Sequence, residues 1–359
     1  MANILYFGDD NPGSTSAQRA AALERLGHKV SIYNPAKAVA GILASSWLSP
    51  VHYRTGYRLL QQQLQLWIKQ LINSMAAPDL VWVNSGELLG PGIMKILKQM
   101  ACQLVLYNND DPTGKRDGRR FDLLLQSLPY YDLCVVRRAV NIDEYKARGA
   151  NRVLLVRMSY DEVVHMPFTS KDIIPAAFRS EVAFIGTWMR HEKRDEFILE
   201  LIRQGVPVNV WGGRWQKSPY WKSLEPAYRG SVLSGRDYVA AIQGAKICLG
   251  LLSKGNRDLH TRRSVEIPFA GGLLCAERTS EHKEMYEEGI EAAFWSDVDE
   301  CAEICKQLLA QDDKREEMLQ WGMGRVRSMG VGNEDVCSKI LQVVFKTTEF
   351  SEPTEKVLL

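Results

Sequence analysis

The chain has 359 residues, of which 45% are apolar and 25% are charged, and its formal net charge is +2. These values are typical of a globular protein of two domains, and so small a charge argues against nucleic acid as a partner. No apolar run reaches the roughly 18 residues of a membrane span, so we expect no integral span. We expect a cytoplasmic location, with peripheral contact at the inner face of the membrane left open.

Short apolar segments alternate with helical patterns through the first half of the chain. The opening run MANILYF has no charged segment before it, which indicates a first strand rather than a signal peptide. Predicted strands cover 3–8, 28–33, 80–84, 103–108, 133–136 and 152–157, and predicted helices cover 14–26 and 59–75. This alternation predicts a parallel sheet with helices on both faces.

The pattern breaks over 160–178, which contains Pro167 and Pro175, and then begins again. Predicted strands cover 182–186, 207–211, 247–252, 273–276 and 292–295, and predicted helices cover 193–204, 236–243, 264–269, 281–287, 297–309 and 314–326. We therefore predict two doubly wound, Rossmann-like α/β domains, over 1–165 and 166–335, followed by a C-terminal helix and tail over 336–359. Right-handed crossovers place the loops that follow the strands on one edge of each sheet, where ligands bind.

Two loops of the first domain carry candidate ligand-binding groups. The run GDDNPGS contains Gly13 and precedes a predicted helix, whose free N–H groups suit an anion; a turn capped by Ser14 explains the same residues. In YNNDDP, Asp110 and Asp111 follow a strand, and one of them is a candidate general base, although Asp-Pro can also begin a turn. The basic run over 115–120 could contact an anionic acceptor, but we interpret it as a solvated surface.

The loops after the first two predicted strands of the second domain combine glycines with cations. Backbone N–H groups and fixed positive charge suit a diphosphate. The candidate donor-binding residues in these loops are Gly186, Thr187, Arg190, Lys193, Arg194 and Gly212.

The run DLHTRRSVEIPFAGG, which begins at Asp258, is the most informative. It places Glu266 near the start of a predicted helix, where the helix dipole stabilises a carboxylate that can accept two ribose hydroxyls. Arg263 can neutralise phosphate, and His260 and Thr261 belong to the same polar cluster. A glutamate that only suits the helix dipole is the alternative.

The seven cysteines lie mainly in apolar segments, and their odd number indicates reduced thiols. Cys301 and Cys305 share a predicted helix face and could in principle bind a metal. Because no histidine or second cysteine pair lies nearby at ligand spacing, we favour core packing and predict no metal.

The run from Asp258 to Gly272, with Glu277 and the later GIE, resembles the CgeB-like, spore-maturation-type group of the group 1 glycosyltransferases. In the first half, GHKV, PDLV and LYNNDDP agree with this group. The resemblance spans most of 3–330, and it implies the GT-B fold, in which two Rossmann-like domains face each other across a cleft.

The resemblance also implies roles for single residues. Glu266 matches the second glutamate of the group 1 signature and is implied to bind the ribose, and Arg263 fits an arginine that the group often carries. Asp258 stands where group 1 enzymes usually have a glutamate, near the sugar and its leaving group, so the stereochemical outcome stays open. The usual histidine of the N-terminal domain is absent, and Asp110 or Asp111 is the candidate in its place.

The implied activity is hexosyltransferase-like: transfer of a sugar from a UDP- or GDP-type nucleotide sugar to a hydroxyl of a glycan or other glycoconjugate. Positive groups would stabilise the departing diphosphate, so neither a metal nor a cofactor is expected. Two alternatives stay open, a degenerate GT-B protein that binds a nucleotide sugar or glycan without turnover, and a sugar-nucleotide epimerase. The amphipathic helix over 59–75 would suit a membrane surface, but core packing explains it as well.

Overall fold

The computed structural model describes residues 1–100 and 102–346. They form two compact units, the first made of Met1–Arg157 together with the C-terminal residues from Glu334, and the second of Met158–Asn333. The division therefore falls after residue 157 rather than after the predicted 165, and the C-terminal helix is part of the first unit rather than a separate segment. The predicted tail beyond residue 346 lies outside the described residues.

The first unit is built on a six-stranded parallel sheet in the order β2-β1-β3-β4-β5-β6. Its strands are β1 Asn3–Phe7, β2 Lys29–Tyr33, β3 Leu80–Asn84, β4 Gln103–Tyr107, β5 Leu133–Val136 and β6 Val153–Leu155. The central strands β3, β4 and β5 are almost wholly buried because helices cover both faces of the sheet. This explains their continuous apolar sequences, LVWV, LVLY and LCVV.

The helices of the first unit before the division are α1 Thr15–Arg25, α2 Pro35–Ala38, α3 Ala40–Leu43, α4 Leu48–Arg54, α5 Gln61–Asn73, α6 Pro91–Lys98, α7 Asp122–Ser127 and α8 Val140–Lys146. The Ser14 hydroxyl accepts a hydrogen bond from the Ala17 N–H at 3.0 Å, which confirms the N-cap of α1. Only α1 and α5 are predicted from the sequence. The other six helices have eight residues or fewer, too short to display a helical period.

The second unit has its own six-stranded parallel sheet, in the order β12-β11-β10-β7-β8-β9. Its strands are β7 Ser180–Ile185, β8 Val208–Trp211, β9 Tyr228–Gly230, β10 Ala245–Gly250, β11 Leu274–Glu277 and β12 Ala293–Trp295. The sequence does not predict β9, a three-residue edge strand whose pairing with β8 is irregular and which has no apolar run.

The remaining helices are α9 Arg194–Arg203, α10 Trp221–Leu224, α11 Gly235–Gln243, α12 Arg263–Phe269, α13 Ser280–Met285, α14 Val298–Leu309, α15 Asp312–Ser328 and α16 Asn333–Lys346. The last of these, α16, buries an apolar face in the core of the first unit, and Arg152 donates to the Val343 carbonyl at 2.9 Å. Among the described residues, no helix has the length and apolar character that crossing a membrane requires.

Each sheet changes direction once in its strand order. In the first unit the change falls between β1 and β3, and in the second it falls between β7 and β10. At such a point the two neighbouring loops leave the carboxyl edge toward opposite faces, and a crevice that can hold a ligand opens between them. The predicted ligand-binding loops after β1, β7 and β10 all border these two points.

Candidate functional site

A pocket of about 390 Å³ opens at the strand reversal of the second unit. Its wall is made by the loop after β7 and the loop after β10, with further residues from the ends of β11 and β12. Its lining includes Lys193, Arg194, Lys254 and five carboxylate side chains, and Lys254 Nζ lies 3.5 Å from a Glu277 carboxylate oxygen. The pocket therefore carries charged side chains of both signs beside apolar ones such as Phe197 and Trp295, the mixed lining that is common in ligand sites.

The cations of the loop after β7 fall into two kinds. Arg190 is exposed, and the Lys193 side chain is 77% exposed where it precedes α9, so both can reach a ligand. Arg194 is only 8% exposed, and its guanidinium donates to the carbonyls of Thr187 and Leu252 at 2.9 and 3.1 Å. Arg194 therefore links the loop after β7 to the loop after β10. To contact the donor as predicted, it would have to keep these two hydrogen bonds or give them up.

Glu192 reinforces the same junction and was not singled out in the sequence. Its carboxylate accepts hydrogen bonds from the backbone N–H groups of Lys254 and Gly255 at 2.8 and 3.3 Å. The wall of the pocket is thus held by bonds from Glu192 and Arg194, while Arg190 and Lys193 remain accessible.

Gly186 and Gly212 are required by the close approach of β7 and β8. A Cβ on Gly212, whose φ is +145°, would lie 2.1 Å from the Gly186 carbonyl oxygen. A Cβ on Gly186 would lie 2.6 Å from the Phe184 ring, and the Gly186 carbonyl also accepts a bond from the Trp215 indole at 2.8 Å. Packing alone explains these two glycines, and their predicted role in donor binding stays a prediction.

Glu266 lies in the first turn of α12 and is 2% exposed. One carboxylate oxygen accepts a hydrogen bond from the Tyr238 hydroxyl at 2.7 Å, and the other lies 3.3 Å from Arg262 Nη1 and 3.7 Å from His165 Nε2. Burial alone would raise the pKa of Glu266, but Arg262, His165 and the Tyr238 bond outweigh it and lower the pKa. The group is therefore a buried, ionised carboxylate.

The two arginines at the start of α12 have different partners. Arg262 forms the ion pair with Glu266, whereas Nε of Arg263 donates to the Ile185 carbonyl at the end of β7. Neither arginine nor Glu266 lines the 390 Å³ pocket. Tyr238 and His165 are distant from Glu266 in sequence and carry no local motif, so sequence reasoning had no signal by which to find them.

The run from Asp258 to Thr261 is largely enclosed. The His260 side chain is 3% exposed, its Nε2 accepts a hydrogen bond from the Met158 N–H at 2.9 Å, and its Nδ1 contacts the Glu281 carboxylate. The Thr261 N–H donates to the Ser264 hydroxyl oxygen at 3.0 Å, and Asp258 is buried as well. These predicted site residues are thus held by contacts with other residues of the second unit.

Ser264 and His282 complete this buried network. The Ser264 hydroxyl lies 2.8 Å from His282 Nε2, and His282 Nδ1 lies 2.6 Å from the Glu277 carbonyl oxygen. Because a carbonyl only accepts, Nδ1 carries the proton and the serine donates to Nε2. Burial lowers the pKa of His282 to about 4, so the imidazole is neutral near pH 7.

A smaller pocket, of about 150 Å³, opens at the strand reversal of the first unit. Residues after β1, β2 and β3 line it, including Asp9, Asn34 and Glu87. Gly13 lies in the same loop as Asp9, but it is exposed and does not line the pocket. The first unit therefore also places its pocket at the position where ligands bind in such sheets.

Asp110 belongs to an ion-pair chain that reaches this pocket. Arg120 bridges the two carboxylates, at 2.8 Å from Glu87 and 3.4 Å from Asp110. Burial raises the pKa of Asp110, with Arg120 opposing and Glu87 adding to the rise. A carboxylate with a raised pKa is a better proton acceptor, so the predicted general-base role of Asp110 stays a prediction consistent with this environment.

Asp111 has a different environment from its neighbour. It is 2% exposed and accepts hydrogen bonds from the Asn141 amide at 2.9 Å and the Thr113 hydroxyl at 3.2 Å. These bonds shape the loop after β4, so of the two acids Asp110 is the more accessible candidate.

The sequence did not lead us to Glu87, and it led us to interpret Arg120 as part of a solvated surface. Glu87 follows the end of β3 by three residues, in the segment NSGE, so the rule that ligands bind at the carboxyl edge could have identified it. The Arg120 side chain is only 22% exposed, because it lies between two carboxylates that are distant in sequence.

Comparison with protein families matches residues 190–329 to the model of a family described as glycosyl transferase-like. Comparison with curated proteins finds no match. The chain is similar in structure to sucrose-phosphate synthase from Thermosynechococcus elongatus, with 12% identity, a TM-score of 0.67, and 97% of this chain and 99% of the other covered.

Two further solved structures cover almost the whole chain. HepE from Anabaena, solved in complex with UDP and glucose, has 13% identity and a TM-score of 0.67, with 96% of this chain and 100% of HepE covered. The α,α-trehalose 6-phosphate synthase from Burkholderia multivorans has 14% identity and a TM-score of 0.61, with 96% and 98% covered. The predicted fold, two Rossmann-like α/β domains as in these GT-B structures, is confirmed; the CgeB-like group is not singled out.

Proposed function

We propose that the protein transfers a sugar from a UDP- or GDP-type nucleotide sugar to a hydroxyl group of a glycan or glycoconjugate. The observation that carries this proposal is the pocket at the β7/β10 reversal, whose lining residues lie within the matched segment 190–329. HepE, which shares the fold, has also been solved in complex with UDP-glucose. A nucleotide sugar fits a pocket with accessible cations at its rim.

We propose that the diphosphate lies beside Arg190, Lys193 and Lys254. When the bond between the sugar and the phosphate breaks, negative charge develops on the diphosphate, and fixed positive charge lowers the barrier to its departure. Exposed side chains on the loops after β7 and β10 can reorient toward the phosphates at little cost in stability. This chemistry does not require a metal ion.

We propose that Glu266 accepts hydrogen bonds from the two ribose hydroxyls. Its carboxylate is ionised and lies at the helix N-terminus, as this role requires. Because Tyr238 and Arg262 occupy the carboxylate, the ribose hydroxyls would have to exchange with them as partners. Arg262 is partly exposed and can change its rotamer, whereas Tyr238 is buried and its hydroxyl would have to move within the core to free the second carboxylate oxygen.

On the acceptor side we propose Asp110 as the general base. It would take the proton of the acceptor hydroxyl while the hydroxyl oxygen bonds to the anomeric carbon and the diphosphate leaves. Its raised pKa and the nearby 150 Å³ pocket support this role. Glu87 and Arg120 would set the position and proton affinity of Asp110.

Calorimetric titration with UDP, GDP and their sugar conjugates tests the proposal. Wild-type protein should bind at least one of them, and Glu266→Gln should weaken this binding. Glu181→Gln is a matched control, because Glu181 lies on β7, near the amino edge of the same sheet, and pairs with Lys246. If no nucleoside diphosphate or nucleotide sugar binds the wild type, the proposed function is wrong.

Binding without turnover is the second candidate. It is favoured by the enclosure of Asp258, which is buried at the position where the resemblance implies an acid beside the sugar. Incubation of the protein with the nucleotide sugar that it binds, with and without a panel of glycans, separates the two. Release of nucleoside diphosphate supports transfer or hydrolysis, and its absence supports a binding protein.

A further inference from the structure

Three thiols form a cluster in the core of the second unit, and none of them lines either pocket. Cys275 lies on β11, and Cys301 and Cys305 lie one turn apart on α14. All three side chains are fully buried, and their sulfur atoms lie within 4.8 Å of one another. The sequence places only Cys301 and Cys305 together, and packing of the helix on the sheet adds Cys275.

The surroundings of the cluster are apolar, and its polar contacts are internal. Leu249, Trp295 and Leu308 belong to the same hydrophobic core. Within residues 1–100 and 102–346, these three thiols lie within 4.8 Å of one another and donate no hydrogen bond to a carbonyl group. Cys248, a buried thiol of the same unit, instead donates to the Ile242 carbonyl at 3.4 Å.

The spacing suits a single ion with sulfur ligands. A metal–sulfur bond of about 2.3 Å separates ligand sulfurs by roughly 4 Å. Sulfur atoms already within 4.8 Å reach this spacing by small side-chain rotations. Thiolates select soft ions, of which Cu(I) and Zn(II) are the common ones.

The number of ligands distinguishes between these two ions. Structural zinc takes four ligands, whereas this cluster offers three sulfurs, and its neighbours in the core are apolar. Cu(I) needs no fourth ligand, so the number of sulfurs favours it over Zn(II). Bound by two thiolates and one thiol, the monovalent ion leaves a net charge of −1.

We propose that Cys275, Cys301 and Cys305 form a binding site for one Cu(I) ion. Binding replaces two thiol protons by the ion, which releases two protons to the solvent, and no electron is transferred. Because the thiols are buried, the ion would enter when α14 opens locally from the sheet.

The site would link two elements that form the pocket at the β7/β10 reversal. Cys275 precedes Glu277 by two residues on the same face of β11, and Val298, at the start of α14, lines the pocket as Glu277 does. An ion shared by β11 and α14 would therefore stabilise the wall of this pocket and raise the temperature of unfolding.

The test uses the reduced full-length protein under anaerobic conditions with Cu(I), supplied as its acetonitrile complex. After desalting, native mass spectrometry should find one copper ion per chain, and X-ray absorption should show about three sulfur ligands near 2.3 Å. Cys305→Ser should lose this ion, whereas the control Cys248→Ser should retain it. A parallel titration with Zn(II) should give weaker binding.

Several results would overturn the proposal: no retained copper in the wild type, nitrogen or oxygen ligands in the absorption spectrum, equal retention by Cys305→Ser, or tighter binding of Zn(II). If circular dichroism shows that Cys305→Ser does not fold, the X-ray absorption spectrum of the copper-loaded wild type decides whether the proposal holds. In the described part of the chain this is the only group of three sulfurs close enough to give such a spectrum.

Discussion

The Tyr238 hydroxyl donates a 2.7 Å hydrogen bond to the Glu266 carboxylate, joining α11 to the first turn of α12. Both groups are buried, and burial raises the pKa of Tyr238 well above 10, so the tyrosine stays a donor at all ordinary pH values. The carboxylate proposed to receive the ribose is therefore oriented by a partner that does not change its charge.

We expect Glu266→Gln to weaken binding of the preferred nucleoside diphosphate by about tenfold or more, equivalent to about 1.4 kcal/mol. An amide accepts more weakly than a carboxylate from two ribose hydroxyls. Tyr238→Phe should leave the affinity within about threefold, because it removes a competing donor, while lowering the free energy of unfolding by about 1 kcal/mol. Calorimetry and urea unfolding measure the two effects. An equal loss of affinity in both variants would exclude the proposal that the ribose hydroxyls replace Tyr238 as hydrogen-bond donors to Glu266.

The cations after β7 should separate into binding and structural residues. Alanine at both Arg190 and Lys193 should weaken diphosphate binding about tenfold with little effect on stability, since both side chains are exposed. Arg194→Ala should instead lower the free energy of unfolding by about 2 kcal/mol, because one buried and one partly buried carbonyl lose their donor. Titration and urea unfolding of the two proteins check this; a stable Arg194→Ala protein would contradict it.

Gly212→Ala should be among the most destabilising substitutions in the second unit. The added Cβ would lie 2.1 Å from the Gly186 carbonyl oxygen, so β7 and β8 would have to separate. We expect a loss of more than about 2 kcal/mol. Gly205→Ala is the matched control, since φ there is also positive but no atom lies within 4 Å of the new Cβ, and it should cost about 1 kcal/mol. Similar losses in both variants would rule out the proposed clash.

Activity should fall on the acid side with the protonation of Asp110. The base works only when ionised, and burial raises its pKa, so kcat/KM should rise with pH through that raised value. Glu87→Gln removes a negative neighbour and should move the acid limb to lower pH. Arg120→Gln removes the opposing cation and should move the limb to higher pH. Shifts in the same direction, measured with the acceptor that the enzyme uses, would exclude Asp110 as the base.

Stability should fall with acid partly because of His282. Burial lowers its pKa from 6.5 to about 4 in the folded protein. The unfolded chain therefore binds a proton between these values that the folded chain does not, and the free energy of unfolding should fall as pH drops from 6.5 to 4, by on the order of 3 kcal/mol. Urea unfolding at several pH values gives the slope of the free energy of unfolding against pH. For His282→Asn this slope should be smaller, by the equivalent of up to one bound proton. An unchanged slope would show that His282 is not buried as a neutral group.

Several strands and helices could be predicted because their sequence patterns involve only neighbouring residues. Continuous apolar runs such as those of β3 and β4 show that both faces of the strand are covered, and an apolar period identifies α5. The edge strand β9 has neither signal, and α2 and α3 are single turns, so these needed the structure. For the same reason the loops of the candidate site could be predicted, and the position of Glu87 just after β3 could have been, while Tyr238 could not.

By itself the sequence determined the alternation of strands and helices, and with it which loops lie at the carboxyl edges, because burial pattern and helix period are read from neighbouring residues. Only the tertiary structure decided that Arg262 rather than Arg263 pairs with Glu266, and that Cys275 joins Cys301 and Cys305. The direction of a side chain depends on strand order and packing between distant segments, and these long-range contacts leave no local pattern.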